Sequence, residues 1–537
     1  MAVYPVVLSD ISLSWPDGTP LFDSLDVTFG AGRTGIVGLN GSGKSSLLRI
    51  VAGAVRPSLP GALRPDRGSV TAAGSVAYLP QDITLDASVA VERILGIADA
   101  RAALQRIESG AGSEEDFDRM AGAWDIEERA ISLLHRLGLH TIVPDPAALE
   151  RTVGSLSGGE TVLLGLTAQL LAEPDILLLD EPTNNLDEAS RAHLHAALQQ
   201  FSGTVLVVGH DRELLDRMDS IAEVRDGAVR TFGGNYTHYR EVIDAEQEAA
   251  RAAVRDARGD MQKQKRELVE ARTKIDRRAR YGQKMFENKR EPKIVMGARK
   301  RAAQVSAGKL RNSHIAKLED AESTLTRARE AVRDDREIRV DLPDTRVPAG
   351  RVVVELAETT LATGQDVALT IVGPERIALT GKNGVGKSTL LDRLVAAGPR
   401  VPYRVLPQRL DVFDEEATVA ENVAVAAPTA TAEHVRSRLA RFLFRGADAD
   451  VPVRVLSGGE RLRAALATVL LADPAPQLLV LDEPTNNLDL ASLANLTEAL
   501  ADYEGALVVV SHDRRFVDDL GVTRRLELTP DALEDHT

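Results

Sequence analysis

Cysteine is absent from the 537-residue sequence, and aromatic residues make up only 4% of it. Without thiols, the chain can form no disulfide bond, cysteine nucleophile, cysteine-ligated zinc site or iron–sulfur cluster. No apolar run approaches the ~18 residues that a membrane-spanning helix requires. The first residues also lack the basic-then-apolar pattern of a secretion signal. The sequence therefore predicts a cytoplasmic protein without a membrane span of its own.

The composition is otherwise that of a folded globular protein, with 44% hydrophobic and 27% charged residues. At about 150 residues per domain, the length favours three or four domains. The formal net charge is −15. A nucleic-acid partner would therefore need a local basic region.

Five motifs occur twice in the same order, which predicts two related domains. The interval from Asp180 to His210 equals that from Asp482 to His512, at 30 residues. Between the lysine of the first motif and the serine of the third, the first copy is 43 residues longer, and 27 of these follow Gln81. The others precede Gln81, in the Pro- and Gly-rich stretch around Pro57 to Gly68. We expect both insertions to lie between core elements, where loops tolerate additions. The repeated motifs are GLNGSGKS/GKNGVGKS, YLPQ/VLPQ, LSGGE, LDEPTNNLD and VVGHD/VVSHD.

The first repeated motif is a glycine-rich loop of the form GxxxxGKS, which follows an apolar strand and predicts phosphate binding. Its backbone N–H groups and the start of the next helix would face the phosphates. The lysine would reach the β- and γ-phosphates, and the serine would hold Mg²⁺. The predicted phosphate-binding residues are Gly38, Asn40, Gly41, Gly43, Lys44, Ser45 and Ser46, and Gly381, Asn383, Gly384, Gly386, Lys387, Ser388 and Thr389.

An apolar segment ending in Asp-Glu follows each loop and makes the prediction more specific. The aspartates, Asp180 and Asp482, would hold Mg²⁺. The glutamates would orient and polarise the attacking water, and a histidine after the next strand would contact the γ-phosphate. For each histidine, a surface position without a catalytic role is the alternative. The predicted catalytic residues are Glu181, Glu483, His210 and His512.

The LSGGE motif gives the chain its resemblance to the ATP-binding cassette superfamily. A Ser-Gly-Gly turn at a helix start offers N–H donors to an anion. In that superfamily, the motif completes the ATP site of the opposite domain. The resemblance implies an α/β fold with two P-loop ATP-binding cassette domains in tandem, and ATP hydrolysis with Mg²⁺ at two composite sites. The sites would combine Lys44, Gln81, Asp180, Glu181 and His210 with Ser457, Gly458 and Gly459, and Lys387, Gln408, Asp482, Glu483 and His512 with Ser157, Gly158 and Gly159. The Mg²⁺ ligands would be Ser45, Gln81 and Asp180, and Ser388, Gln408 and Asp482.

The superfamily also stacks adenine on an aromatic residue early in each cassette. Trp15 fits that role in the first copy, with a strand-core position as the alternative. In the second copy, no aromatic residue occurs between Val340 and Pro402. We therefore expect the second site to bind ATP more weakly or to hold the base through aliphatic contacts.

Residues 237–340 separate the copies, 1–236 and 341–537, and predict a long antiparallel α-helical hairpin. Apolar residues recur every seven positions in two stretches, which is typical of a coiled coil. Glycines and a proline between the stretches predict a break, and the first helix is expected to have about 40 residues, or roughly 60 Å. The repeating residues are Val254, Met261, Leu268 and Ile275, then Leu318, Leu325 and Val332; the interrupting ones are Gly282, Pro292 and Gly297.

The middle of this hairpin is basic, with 18 Lys or Arg and 5 acidic residues from 263 to 317. Such a cluster favours salt-sensitive contacts with phosphates of RNA, and aromatic residues within it could stack on bases. An ordinary charged coiled coil is the alternative. The RNA-contact candidates are Arg277, Arg278, Arg280, Tyr281, Lys284, Phe286, Lys289, Arg290 and Lys293.

Two cassettes joined by a charged helical hairpin resemble the F subfamily of ATP-binding cassette proteins (ABC-F). The resemblance implies a monomer with intramolecular cassette dimerisation that binds the ribosome, contacting rRNA and the P-site tRNA, with no stable membrane partner. Some members protect ribosomes from antibiotics and others are housekeeping translation factors. The short insertion after Gln81 and the basic hairpin favour protection. An ATPase subunit of a membrane transporter, or a DNA-repair or chromosome ATPase, is an alternative.

Overall fold

A computed structural model of the chain describes residues 4–15, 17–59, 61–81, 83, 88–154, 156–184, 186–287, 293–333, 342, 344–408, 410, 412–486 and 488–536. Two compact units are present. Residues 1–236 and 336–537 form one unit, and residues 237–335 form the other. Within the first unit we call residues 1–236 the first lobe and residues 336–537 the second lobe. We call the other unit the hairpin.

The elements follow the duplication of the sequence. Those of the first lobe are β1 (Val6–Ser14), β2 (Pro20–Phe29), β3 (Gly32–Val37), α1 (Lys44–Val55), β4 (Arg67–Ala72), β5 (Val76–Leu79), α2 (Val91–Ile94), α3 (Ala98–Glu108), α4 (Glu114–Arg119), α5 (Ile126–Arg136), α6 (Gly158–Leu171), β6 (Ile176–Asp180), α7 (Glu188–Gln200), β7 (Thr204–Val208), α8 (Arg212–Leu215), β8 (Ser220–Arg225) and β9 (Ala228–Gly233). The hairpin contains α9 (Tyr236–Glu287) and α10 (Lys293–Glu330). Those of the second lobe are β10 (Val352–Thr360), β11 (Asp366–Val372), β12 (Arg376–Thr380), α11 (Lys387–Ala396), β13 (Tyr403–Leu406), α12 (Val419–Ala426), α13 (Ala432–Leu439), α14 (Gly458–Leu470), β14 (Leu478–Asp482), α15 (Leu490–Ala501), β15 (Ala506–Val510), α16 (Arg514–Asp519), β16 (Arg524–Leu528) and β17 (Leu533–Asp535).

Each lobe is built around a six-stranded sheet with the same strand order. The orders are β5-β6-β7-β3-β8-β9 and β13-β14-β15-β12-β16-β17. Five strands of each sheet run parallel and the last pairs antiparallel. All five residues of β6 are buried, as expected for a strand covered on both faces. The predicted fold class, two α/β phosphate-loop lobes with a long helical pair between them, is confirmed.

The insertions of the first lobe lie between core elements, as expected, and they include some regular structure. In the earlier insertion, β4 pairs with β1 and extends a small antiparallel sheet to three strands. In the later one, α5 buries Ile126, Ala130, Leu133 and Leu134. That spacing places all four side chains on one helical face. Buried apolar surface therefore fixes these additions as part of the lobe.

The first hairpin helix is longer than the sequence suggested. The first, α9, has 52 residues, or about 78 Å at 1.5 Å per residue. Gly282 lies within α9 and Gly297 within α10, because a single helical glycine costs only about 1 kcal/mol relative to alanine. The described part of α9 ends at Glu287 and that of α10 begins at Lys293, and Pro292 lies outside the described residues.

The two hairpin helices run antiparallel, because the residue just beyond α10 contacts α9 near its start. Ala271, Ala321 and Leu325 are buried. The backbone N–H of Arg333, just beyond the end of α10, donates to Gln247 Oε1 near the start of α9 at 2.8 Å. In the described part of the chain, no helix combines the length and the apolar character needed to cross a membrane.

Candidate nucleotide-binding sites

In each lobe, the central strand leads into the glycine-rich loop and then into a helix. Gly43 caps the start of α1 with a left-handed φ of 100°, and Gly386 caps α11 with φ 108°. In the first loop, buried Lys44 donates from Nζ to the carbonyl oxygens of Gly38 and Leu39, both at 2.9 Å. The ammonium is thus held within the turn whose N–H groups would bind phosphate.

The second loop holds its lysine in the same way and adds one partner. Lys387 Nζ donates to the carbonyls of Gly381 at 2.8 Å and Lys382 at 3.2 Å, and lies 3.1 Å from His512 Nε2. Burial lowers the pKa of Lys44 and of Lys387, and neighbouring carboxylates partly oppose that shift. Both lysines are therefore desolvated cations near the predicted γ-phosphate position.

The first glycine of each loop lies against the backbone of the neighbouring strand β8 or β16. Gly38 has φ 155° and Gly381 has φ 143°. A Cβ atom on Gly38 would lie 2.3 Å from the Val224 carbonyl oxygen, and one on Gly381 would lie 2.4 Å from that of Leu528. Because a carbonyl in a paired strand cannot move aside cheaply, these positions exclude a side chain.

We expect Gly38→Ala to lower the free energy of unfolding of the first lobe by about 2–3 kcal/mol, since strained backbone costs ~1–3 kcal/mol and the clash adds to it. Gly41→Ala is the matched control. It has φ 81° with no described atom within 4 Å of the added Cβ, so it should cost about 1 kcal/mol. Denaturant unfolding measures both, and equal losses would contradict the packing argument.

Of the predicted Mg²⁺ ligands, the serine and the aspartate of each site are in contact. Ser45 Oγ donates to Asp180 Oδ1 at 2.8 Å, and Ser388 Oγ donates to Asp482 Oδ2 at 2.7 Å. Hydroxyl and carboxylate oxygens are the donors that Mg²⁺ prefers, so these side chains fit the cation. The two glutamines, Gln81 and Gln408, are exposed just beyond the strands that pair with β6 and β14.

The surroundings of the two aspartates differ, which the sequence analysis missed. Tyr78 is buried, and its hydroxyl donates to Asp180 Oδ2 at 3.3 Å. Burial, followed by the nearby Asp180 carboxylate, raises the pKa of Tyr78 to about 12. The corresponding residue of the second copy is Val405. In the sequence, this difference is visible as tyrosine in YLPQ and valine in VLPQ.

The two glutamates predicted to be catalytic share an unusual backbone conformation. Glu181 has φ 49° and Glu483 has φ 46°, a left-handed region that side chains rarely adopt. Each N–H donates to the last residue of the adjacent strand, Val208 or Val510. His210 Nε2 lies 2.9 Å from Glu181 Oε1, and His512 Nε2 lies 3.2 Å from Glu483 Oε1. Each predicted glutamate–histidine pair is therefore brought together, and a surface role for these histidines does not fit their burial.

Burial alters the titration of the second pair. It raises the pKa of Glu483 to about 6. Burial, then the Lys387 cation, lowers the pKa of His512 to about 3. Near pH 7 the second site thus holds a neutral imidazole beside a carboxylate that can still accept a proton.

We expect ATP turnover by a Glu181→Gln variant, in which Glu483 is the remaining base, to fall as the pH drops through about 6. A base must be deprotonated to accept a proton, so the rate should be maximal above about pH 7 and about tenfold lower one unit below the pKa. Steady-state hydrolysis from about pH 5 to about pH 8 measures the profile. The Glu181→Gln, Glu483→Gln variant supplies the background, and a flat profile would contradict Glu483 as the base.

The LSGGE motifs lie at helix starts. Ser157 is the N-cap of α6 and Ser457 that of α14, and each accepts from the N–H of the glutamate three residues later. Gly158 and Gly159 form the first turn of α6, and Gly458 and Gly459 form the first turn of α14. Free N–H groups at a helix start attract anions, as the motif predicts.

Contacts between the lobes join the loop of one to the Asp-Glu region of the other. The Asn40 N–H donates to Asp489 Oδ2 at 2.7 Å, and the Asn383 N–H donates to Asp187 Oδ2 at 3.5 Å. A Cβ atom on Gly458 would lie 3.9 Å from Asn40 Nδ2. The lobes therefore face one another head-to-tail, with the second LSGGE motif beside the first phosphate loop.

The aromatic side chain predicted to contact adenine is present in the first lobe, and a leucine takes the equivalent position in the second. Trp15 is 43% exposed in a turn closed by its N–H donating to the Thr19 carbonyl oxygen at 2.8 Å. The same turn in the second lobe places Leu361 at that position, with its N–H donating to Gln365 at 2.8 Å. Leu361 is buried. The exposure of Trp15 rules out the strand-core alternative and leaves its face accessible.

Of the RNA-contact candidates, those on the described part of α9 are exposed. These are Arg277, Arg278, Arg280, Tyr281 and Lys284. Lys289 and Arg290 lie outside the described residues, as do the side chains of Phe286 and Lys293.

Comparison with known proteins places these features in a family. The family described as ABC transporter matches residues 22–184 and 364–486, which include both phosphate loops and both Asp-Glu strands. The tylosin resistance ATP-binding protein TlrC of Streptomyces fradiae is 33% identical over 95% of this chain and 92% of its own length. ABC transporter F family member 5 of Arabidopsis thaliana is 29% identical over 99% of this chain and 76% of its own. The chain belongs to the ABC-F family.

Further comparisons agree with this ABC-F assignment. The probable ATP-binding protein YheS of Escherichia coli K12 is 30% identical over 96% of this chain and 78% of its own length. Among solved structures, RNase-L Inhibitor aligns with a TM-score of 0.55 and 21% identity, covering 97% of this chain and 87% of that one. An archaeal ribosome recycling factor, aABCE1, aligns with a TM-score of 0.54 and 20% identity, covering 96% and 87%. At these identities the structures show the shared fold alone.

Proposed function

We propose that this ABC-F protein hydrolyses ATP at two composite sites and uses the cycle to act on the ribosome, protecting it from an antibiotic. The observation that carries the proposal is similarity over nearly the whole length to TlrC, a protein named for tylosin resistance. Action on the ribosome would place the protein in the cytoplasm.

The lobe contacts support composite sites. Asp489 of the second lobe accepts from Asn40 in the first phosphate loop, and Gly458 lies beside the same asparagine. A triphosphate bound between them would meet the Lys44 ammonium from one side and the N–H groups at the start of α14 from the other. Because neither half supplies every donor, bound ATP would favour the closed arrangement by its differential affinity for it.

Hydrolysis would depend on the glutamate and histidine of each site. The glutamate carboxylate would accept a proton from water as the water oxygen attacks the γ-phosphorus and the bond to the β-phosphate oxygen breaks. Mg²⁺ bound by the serine–aspartate pair would neutralise phosphate charge. The lysine and histidine would hold the γ-phosphate oxygens, and the closed lobes would exclude bulk water.

The hairpin supplies the proposed ribosome contact. Its exposed arginines lie on α9 together with Tyr281, which is 68% exposed. Cationic side chains release counterions when they bind phosphates, so the contact should weaken with salt. The aromatic ring could stack on an unpaired base or on the tRNA.

Co-sedimentation tests the ribosome target. The Glu181→Gln, Glu483→Gln variant should pellet with ribosomes in ATP but not in ADP, because it binds ATP without releasing it by hydrolysis. A Lys44→Ala, Lys387→Ala variant is the control that should remain in the supernatant. Equal ribosome binding by both variants, or binding by neither, would refute the proposal.

A charge-reversal pair tests the hairpin. Arg277→Glu with Arg278→Glu in the trapping background should weaken ribosome binding at least about tenfold. Arg255→Glu with Arg258→Glu reverses two exposed charges elsewhere on α9 and is the matched control. Equal losses in the two pairs would point to general electrostatics rather than a defined contact.

Drug susceptibility separates protection from a housekeeping role. Expression in a susceptible strain should raise the inhibitory concentration of at least one ribosome-targeting class among macrolides, lincosamides, streptogramins and pleuromutilins. The Lys44→Ala, Lys387→Ala variant should not. Ribosome binding without any such rise would favour a housekeeping translation factor, and stable co-purification with a membrane protein would favour a transporter subunit.

A further inference from the structure

Arg191, in α7 of the first lobe, contacts residues of both lobes. Its Nε donates to the Leu186 carbonyl oxygen at 3.2 Å. Its Nη1 lies 3.2 Å from Asp211 Oδ2 and donates to the His512 carbonyl oxygen in the second lobe at 3.3 Å. The side chain is 17% exposed. One guanidinium therefore joins three backbone segments that meet at the lobe interface.

These segments belong to both candidate sites. Asp211 directly follows His210 of the first site and caps α8, accepting from the Leu214 N–H at 3.0 Å. His512 is the histidine of the second site, and its imidazole lies 3.1 Å from Lys387 Nζ. Arg191 thus contacts the segment after one histidine and the backbone of the other.

Among the described residues, we find this arrangement at Arg191 and not at the equivalent position of the second lobe. Asp187 and Asp489 are equivalent aspartates of the duplicated motif, and four residues after each come Arg191 and Leu493. Leu493 is buried in the apolar core of the second lobe. The second lobe therefore has no guanidinium at the position that would contact the His210 carbonyl.

The positive charge of Arg191 also affects the second site. Burial, followed by the Lys387 cation and then the Arg191 cation, lowers the pKa of His512. A movement of this guanidinium would change both the placement and the charge environment of the second site.

We propose that Arg191 is a positioning residue that couples the two nucleotide sites. The inference rests on the proposed pair of ATP sites. When His210 engages a γ-phosphate, Asp211 moves with it, and Arg191 carries that movement to the His512 backbone. The coupling passes from the first histidine to the second through one side chain.

Arginine is suited to this role by its shape. Its planar fork presents several N–H groups at fixed angles, so it can hold three acceptors at once. Lysine has one ammonium on a flexible stem and would keep the ion pair with Asp211 at the expense of the other contacts. The Arg191→Lys variant therefore separates the charge from the geometry.

A kinetic cycle tests the coupling without ribosomes. In a Glu181→Gln background, only the second site hydrolyses ATP, while the first can still bind it. Adding Lys44→Ala empties the first site and should raise the KM of the second at least about fivefold, a typical coupling between sites. In Arg191→Lys, the same Lys44→Ala change should alter that KM less than about twofold.

Two further variants serve as controls, one for misfolding of the first lobe and one for a general weakening of the contact between the lobes. Arg191→Gln with Asp211→Asn removes the buried charge pair together, and it should also abolish the coupling while denaturant unfolding shows an intact first lobe. Arg514→Gln breaks another ion pair between the lobes, with Glu188, and should keep the coupling. A KM change that persists in both Arg191 variants, or no KM change in the parent, would overturn the proposal. Failure to bind ribosomes would leave this measurement unaffected.

Discussion

Replacing Glu181 and Glu483 with glutamine is expected to lower ATP turnover by about 10²–10⁴-fold, the usual contribution of a general base. Each carboxylate lies 3.2 Å or less from the imidazole Nε2 of the histidine in its site. Both glutamates have a left-handed, strained backbone conformation. Glutamine keeps the size of the side chain but cannot accept the proton from water. The rate of phosphate release at saturating ATP measures the loss.

ATP affinity should change little in this double variant, because the phosphate loops and serine–aspartate pairs remain. Glu358→Gln, an exposed glutamate of β10, is the control for removing a carboxylate from the surface and should hydrolyse ATP normally. Turnover above about a tenth of the parent rate in the double variant would show that another group accepts the proton.

Alanine substitutions in opposite lobes should damage the same site. In a Glu483→Gln background, where the first site alone hydrolyses ATP, Lys44→Ala should lower kcat/KM about 100-fold, as for loss of a preorganised charged donor. Ser457→Ala, in the other lobe, should lower it about tenfold through loss of a hydroxyl and disturbance of the α14 start. The expectation rests on the position of Gly458 beside Asn40.

Ser157→Ala is the matched control for Ser457→Ala, because each serine caps its helix in the same way. Both should lose about 1 kcal/mol of stability. Only Ser457→Ala should impair the first site, and in a Glu181→Gln background the pattern should reverse. Equal effects of the two serine variants in both backgrounds would contradict sites shared between the lobes.

The local chemistry of the sites could be predicted from the sequence. A glycine-rich turn ending in Lys-Ser can form a phosphate loop wherever a strand precedes it and a helix follows it. The structure has that order at Gly38 and Gly381. Likewise, an apolar strand ending in Asp places the carboxylate at the edge of a parallel sheet, and Asp180 meets Ser45 there. These features depend on short segments and backbone conformation.

Predictions failed where local rules compete with packing. The interruption was predicted over Gly282 to Gly297, yet α9 continues through Gly282 because one glycine costs too little to break a helix. The position of the first-lobe insertions between core elements could be predicted, but the pairing of β4 with β1 could not. The contact of Tyr78 with Asp180 could not be predicted, because it depends on how the tyrosine is buried beside that carboxylate.

The sequence by itself determined that this is an ABC-F protein with two phosphate loops, paired carboxylates and a basic helical hairpin. Each of these follows from motif chemistry or from periodicity along one stretch of chain. Only the tertiary structure decided that Asp489 reaches Asn40, 449 residues away, and that Arg191 reaches His512, 321 residues away. Contacts of that kind depend on how two folded surfaces fit together, which no local pattern records.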